Sequence, residues 1–107
     1  MAVTLCLAPS PGEPREIVRY SLKERQTVIA VPARHVVERV GNPDDGDVPA
    51  VWLDVATERA RPVHVRFELR TPGTGGPARG RLLGRVRWQG RDADVYGMYL
   101  GPVSEEN

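Results

Sequence analysis

The stretch Val63-His64-Val65-Arg66-Phe67-Glu68-Leu69-Arg70 decides the fold class, because apolar and polar residues alternate through every position. Successive side chains of a β-strand point to opposite faces of a sheet. Four apolar side chains are thereby predicted to face a core, namely Val63, Val65, Phe67 and Leu69. No stretch of the chain shows a helical periodicity of comparable quality. The sequence therefore predicts a β protein in which this stretch is a half-buried strand.

Other apolar segments predict further short strands, at 2–7, 16–22, 27–31, 35–40, 50–56, 82–89 and 93–100. Turn-forming residues separate them at 9–14, 41–46, 71–80 and 89–90, where Gly, Pro, Asn and Asp interrupt strands and helices. About seven short strands at this spacing predict an all-β fold, either a small antiparallel sandwich or a partly open barrel.

Two of these segments carry a more specific expectation. Within 33–40, Val36, Val37 and Val40 stand at helical spacing, so a short helical turn competes with the favoured strand. Residues 84–88 and 93–96 predict a hairpin whose loop contains Gly90, a residue that adopts positive φ without strain. In such a hairpin Trp88 and Tyr96 are predicted to share one face, as a packing pair or an aromatic contact surface.

Length and composition restrict the class of protein. A chain of 107 residues predicts a single small β domain over 1–107, large enough to form a core without a metal or disulfide. One cysteine excludes an internal disulfide, and Cys6, inside an apolar stretch, is predicted to serve packing. The absence of a long apolar run predicts a protein outside the membrane, and the first apolar stretch is too short for a signal peptide.

Catalytic and metal-binding patterns are absent from the sequence. The histidines His35 and His64 lie in no metal or nucleophile motif, and both are predicted to be ordinary surface residues. The acidic segment 44–47 lacks the spacing of a calcium loop and predicts a solvated turn. No nucleophile elbow, phosphate-binding P-loop or dinucleotide fingerprint is present. We therefore expect no enzymatic activity, no cofactor and no metal.

Charge is segregated along the chain. Residues 1–58 hold six basic and nine acidic groups, net −3, and residues 92–107 hold four acidic groups, net −4. Residues 59–91 hold nine arginines and a single acidic residue, Glu68, net +8. This segment predicts a binding face for an anion or an acidic partner, composed of Arg66, Arg70, Arg79, Arg81, Arg85 and Arg87. In the alternative interpretation the arginines keep a sheet face soluble and pair with Asp92, Asp94 and Glu105.

A glycine-rich loop lies within the same basic segment. It contains Gly73, Thr74, Gly75 and Gly76, followed by Arg79 and Arg81. Exposed backbone amides in such a loop can form an anion-binding nest, which predicts phosphate or nucleotide binding as an alternative function. Glycines also occur where a long connection between strands bends, and that interpretation needs no ligand.

The order of several short motifs resembles a known family. The motifs are Arg19-Tyr20-Ser21-Leu22, a strand from 26 to 31 ending in Pro32, 51–55, 64–69, Gly73-Thr74-Gly75, Leu83-Gly84 and Val95-Tyr96. This succession, over about residues 16–100, is similar to a family of short all-β proteins of unknown function from bacteria and their phages. Gly76 and Gly97 stand where that family commonly has histidine. The resemblance implies a small β domain of phage or prophage origin, in the cytoplasm of a bacterial host or in a virion.

Together these features favour a non-enzymatic protein-interaction or assembly module, such as a phage accessory or structural protein. It is expected to bind a protein partner or to self-associate as a homo-oligomer through edge strands. Nucleic-acid binding through Arg66, Arg70, Arg85 and Arg87 is a second alternative function beside phosphate or nucleotide binding.

Overall fold

The computed structural model describes residues 2–58, 61–73 and 79–103, and within them seven antiparallel strands form two sheets. The strands are β1 (Arg15–Ser21), β2 (Gln26–Pro32), β3 (His35–Gly41), β4 (Ala50–Ala56), β5 (Pro62–Arg70), β6 (Arg81–Trp88) and β7 (Arg91–Pro102). One sheet has the order β1-β4-β3 and the other β2-β5-β7-β6. The all-β prediction is confirmed, and the architecture is that of a small sandwich.

The core lies between the two sheets. The predicted alternation of β5 is confirmed, since Val63, Val65, Phe67 and Leu69 are all buried. They join Val51, Leu53 and Val55 of β4 in a single apolar cluster. Full burial of a valine, leucine or phenylalanine side chain stabilises a fold by roughly 1.5–3 kcal/mol, so these two strands dominate the packing.

Residues 33–40 do not form a helical turn. Residues His35–Gly41 form β3, which pairs antiparallel with β4, so the favoured strand is confirmed and the helical alternative is wrong. Glu38 is an extra residue in a β-bulge between Val37 and Arg39. The bulge restarts the alternation, so Val37 and Val40 face the same side although three positions separate them. This irregularity produced the apparent helical spacing.

A short 3₁₀ helix, Pro43–Asp45, follows β3, where the sequence predicted a turn. The hairpin of β6 and β7 is confirmed, and its turn consists of Gln89 (φ 54°) and Gly90 (φ 76°). Two successive positive φ angles characterise the type I′ turn, whose twist matches that of the flanking strands.

The prediction that Trp88 and Tyr96 share a face is wrong. Trp88 stands opposite Arg91 in the hairpin, and it packs against the core. Tyr96 stands opposite Glu68 of β5, on the outer face of the sheet. Because Arg91 and Tyr96 stand an odd number of positions apart along β7, they project from opposite faces. No common aromatic surface is formed by this pair.

The predicted strand at 2–7 is not a regular strand. Its pairing consists of two isolated bridges, Val3 with Val37 of β3 and Leu7 with Arg34, the residue before β3. Leu5 nevertheless packs against the core and lies over Gly97, where a Cβ added to the glycine would stand 3.0 Å from a Leu5 methyl carbon. Cys6 is half-buried against the same core, as its packing role predicts.

The two lateral sides of the sandwich differ. On one side β3 packs beside β6, and a side chain at Gly84 is prevented by Val40, whose Cγ2 lies 2.7 Å from the position of a Cβ. On the other side, β1 and β2 are the terminal strands of their sheets. Within the described part of the chain, no further strand pairs with the outer edge of either one. This side of the sandwich is therefore open.

Two glycines with positive φ provide a test of these close approaches. Gly80 (φ 97°) lies against the backbone oxygen of Gly97. At Gly90 (φ 76°), no atom of the described residues beyond its two chain neighbours lies within 4 Å of a would-be Cβ. We expect Gly90→Ala to lower the free energy of unfolding by about 1 kcal/mol through backbone strain alone. Gly80→Ala should cost about 1–3 kcal/mol more, because the backbone of Gly97 must move. Urea denaturation of both variants measures the difference, and equal losses contradict the predicted clash.

Candidate functional site

Four of the six predicted arginines lie on the outer face of the four-stranded sheet. Arg66 and Arg70 alternate with the buried residues of β5, and Arg85 and Arg87 pair with outward residues of β7. Paired residues of an antiparallel ladder project from the same face. We call this surface the four-strand face. Its role in binding stays a prediction.

Carboxylates interrupt the arginines of the four-strand face. Asp94 stands opposite both Arg70 and Arg85, and the Arg85 Nε donates to Asp94 Oδ1 at 3.0 Å. This hydrogen bond, together with the nearby negative charge, raises the pKa of the Arg85 guanidinium. Glu68 lies between Arg66 and Arg70 on β5. The alternative interpretation, in which Asp94 neutralises part of the arginine set, therefore holds for Arg85.

The alternation of arginines and carboxylates continues at the Arg87 end of the four-stranded sheet. Asp92 stands opposite Arg87, whose Nε lies 4.0 Å from Asp47 Oδ1. Asn42 supports this strand end, since its side chain exchanges two hydrogen bonds of 2.7 Å with the backbone of Arg87. Glu105, the third predicted partner, lies outside the described residues. The four-strand face thus carries four arginines and three carboxylates, Glu68, Asp92 and Asp94.

Apolar side chains occupy the middle of the four-strand face. Val28, Arg66 and Met98 form one cross-strand row, and the Arg66 Nη2 lies 3.4 Å from the Met98 sulfur. Tyr96 and Leu82 lie in the next row. Val28 and Leu82 are 53% and 56% exposed. Val28, Leu82 and Met98 are not predicted from the sequence to share a face, because that arrangement depends on strand pairing that no local pattern specifies.

Arg81 does not join the four arginines of the four-strand face, so the predicted six-residue set is wrong as a single cluster. Leu83 is an extra residue between Leu82 and Gly84, and this bulge reverses the alternation of β6. Arg81 consequently pairs with Gly97, and its Nη1 donates to the Thr4 carbonyl at 3.1 Å. Arg79 is exposed ahead of β6.

The glycine-rich loop lies mostly outside the described residues. This applies to Thr74, Gly75 and Gly76, whereas Gly73 is described and has a φ of 77°. Positive φ at this position is typical of a turn residue. The anion-binding nest stays a prediction.

A second outward surface, which the sequence did not predict, lies on the three-stranded sheet. Trp52 of β4 stands between Arg19 of β1 and Arg39 of β3. The Arg39 Cζ lies 3.8 Å from the centroid of the Trp52 ring, a cation–π stack. Alternation with Val51 and Leu53 predicts that Trp52 faces outward, but its two arginine neighbours depend on strand register and on the Glu38 bulge.

His35 is buried, contrary to the prediction that both histidines are surface residues. It pairs with Val55 on the inner face of β3, and its Nδ1 lies 2.8 Å from the Pro32 carbonyl oxygen. Because a carbonyl only accepts, Nδ1 carries the proton, and the buried Nε2 has no hydrogen-bond partner among the residues that the structure describes. Burial lowers the pKa of His35, and the hydrogen bond to Pro32 opposes this effect only partly. His64, by contrast, lies on the outer face of β5.

Across residues 2–58, 61–73 and 79–103, no three His, Cys, Asp or Glu side chains form a group that can hold a metal ion. None of these residues belongs to a helix with the length and apolar character of a membrane span. The sequence matches no protein-family model, and neither a curated protein nor a solved structure matches it.

The burial of His35 predicts a pH-dependent stability. Its folded-state pKa lies below the unfolded value of about 6.5, so the unfolded chain binds the extra proton first as the pH falls. The His35 contribution to stability is therefore present above about pH 6.5 and is lost below it, at up to about 1.4 kcal/mol per pH unit. Urea denaturation at a series of pH values between 8 and 5 measures this dependence.

Two variants separate His35 from the other titrating groups. We expect His35→Leu to flatten the pH dependence around the unfolded histidine pKa, because no side chain then titrates at this position. His64→Ala, a change on the outer face of β5, should retain the wild-type dependence. An unchanged pH dependence in His35→Leu contradicts the assignment.

Proposed function

We propose that the chain is a non-enzymatic assembly module that pairs with a second copy of itself through the four-strand face. The observation that carries this proposal is the mosaic on that face, where arginines and carboxylates alternate around an exposed apolar centre.

The composition of the four-strand face supports contact with protein. Tyrosine, methionine and arginine are enriched in protein interfaces relative to the remaining surface. Tyr96, Met98 and Arg66 supply these residue types in adjacent rows. Val28 and Leu82 add apolar surface that is more than half exposed in the isolated chain. Burial against a partner removes this apolar area from water.

The charge pattern favours a second copy as that partner. In a twofold symmetric dimer the same patch contacts itself, so each patch must carry both members of every complementary pair. The four-strand face meets this condition, because it carries both arginines and carboxylates. Arg66 and Arg87 lie in different cross-strand rows from the Asp94–Arg85 ion pair. A net charge of +1 for the whole chain imposes little repulsion between copies.

The same carboxylates disfavour nucleic acid on this face. Asp92, Asp94 and Glu68 stand among the four arginines, so a phosphate backbone meets both signs of charge. Affinity for nucleic acid depends on uncompensated lysine and arginine groups that replace counterions. A protein surface with its own arginines and carboxylates is the better complement.

A structural role in a phage or prophage is part of the proposal. It is supported by the resemblance of the motif order to short phage-encoded β proteins and by the apolar centre of the four-strand face. Both the cytoplasm of a bacterial host and the virion accommodate such a role.

Sedimentation velocity over a concentration series from micromolar to millimolar tests the proposal. We expect the wild-type chain to shift from monomer to dimer as the concentration rises. Val28→Asp places a charge in the apolar centre and should weaken dimerisation at least about tenfold, equivalent to 1.4 kcal/mol.

The matched control is Ile17→Asp. Ile17 lies on edge strand β1 and is 60% exposed, but it belongs to the three-stranded sheet. This variant should dimerise like the wild-type chain. A wild-type chain that stays monomeric throughout the series, or equal losses in both variants, refutes self-association through the four-strand face.

A further inference from the structure

We propose that the free edge of β1, together with Arg19, Arg39 and Trp52, is a docking site for an extended segment of another protein in which acidic and apolar residues alternate. This site lies on the three-stranded sheet, and it does not depend on self-association through the four-strand face.

The alternation of hydrogen bonds between β1 and β4 determines which backbone groups of β1 point away from β4. Leu22 N donates to Pro49 O at 2.8 Å and Thr57 N donates to Pro14 O at 3.0 Å, so the bonded pairs with β4 involve the even-numbered residues. The amide and carbonyl groups of the odd-numbered residues point away from β4, at Arg15, Ile17, Arg19 and Ser21. Such a row is a template for the addition of another strand.

The odd-numbered residues also present their side chains on the outer face. Ile17 and Arg19 are exposed there, and Arg15 Nη1 lies 3.5 Å from Asp54 Oδ2. Acidic side chains of an added strand fall on this outer face, next to Arg19. Its alternate apolar side chains fall on the inner side, next to the half-buried Val18 and Tyr20 at the open side of the sandwich. The alternation of the proposed segment follows from this arrangement.

The guanidinium group of Arg39 is preoriented for binding a carboxylate. This group is stacked on Trp52, which fixes its plane and leaves the N–H groups at its rim available for bidentate hydrogen bonds. Arg19 is the residue paired with Trp52 on the neighbouring strand β1. Neither Arg19 nor Arg39 has a carboxylate within ion-pair distance in the described part of the chain. A preoriented side chain loses less conformational entropy when a ligand binds.

A second copy of β1 is a poorer occupant than an acidic strand. Antiparallel pairing of two β1 strands brings Arg15 and Arg19 of both copies onto one face, and Arg39 of each copy lies nearby. Asp54 is the acidic residue that the central strand β4 contributes to this face. Like charges on one face destabilise a sheet, so the charge distribution favours a partner segment of opposite sign.

The site is tested with an end-blocked octapeptide in which glutamate and valine alternate, and with a matched peptide in which lysine replaces glutamate. The chain contains two tryptophans, so Trp88→Phe leaves Trp52 as the fluorescent reporter. We expect a saturable change in Trp52 emission with the glutamate peptide and at least tenfold weaker binding of the lysine peptide. Arg19→Ala should weaken binding of the glutamate peptide at least tenfold, whereas Arg66→Ala, on the four-strand face, should leave it unchanged.

Amide hydrogen exchange of the wild-type chain tests the strand addition itself and does not depend on the tryptophan variant. The glutamate peptide should slow exchange at Ile17, Arg19 and Ser21, while Val18 and Tyr20, whose amides already bond to β4, change little. Equal affinity for both peptides, binding that does not slow exchange at those three amides, or protection of β1 by a single-stranded oligonucleotide but not by the glutamate peptide would overturn the proposal.

Discussion

The burial of one face of β5 is the constraint on which the remaining structure depends. With Val65 and Phe67 fixed in the core, pairing with β2 on one edge and β7 on the other determines which residues of both neighbours project outward. A one-residue shift of either register exchanges the inner and outer faces of a strand and places charged residues in the core. The composition of the four-strand face is therefore a consequence of how the core is packed.

Two bulges modify this arrangement, and each changes which surface the neighbouring side chains reach. The extra residue Glu38 allows Val37 and Val40 both to face inward while Arg39 reaches Trp52. The extra residue Leu83 directs Arg81 toward the N-terminal segment, and Arg85 and Arg87 remain on the four-strand face. Bulges commonly redirect side chains at sheet edges, and both of these lie in strands that end a sheet or adjoin its edge.

Local sequence patterns were sufficient to predict the strands and turns but not the candidate binding surfaces. The alternation of β5, the Gly90 turn and the strand at 50–56 depend on near neighbours in sequence, and the structure has all three. The burial of His35, the opposite faces of Trp88 and Tyr96 and the separation of Arg81 from Arg85 depend on pairing and bulges. Bulge positions follow from the fit between strands distant in sequence, so no single segment encodes them.

Register also changes the meaning of the arginine-rich segment. Its net +8 suggested one uniformly basic face, but the acidic residues of β7 fall between the arginines of β5 and β6. Arg19 and Arg39, which have no ion pair within the described part of the chain, flank Trp52 instead, in a part of the sequence whose net charge is −3. Because the two surfaces lie on different sheets with the core between them, occupation of one leaves the other accessible. The proposed self-association through the four-strand face and the proposed binding of an acidic strand at β1 are therefore sterically compatible.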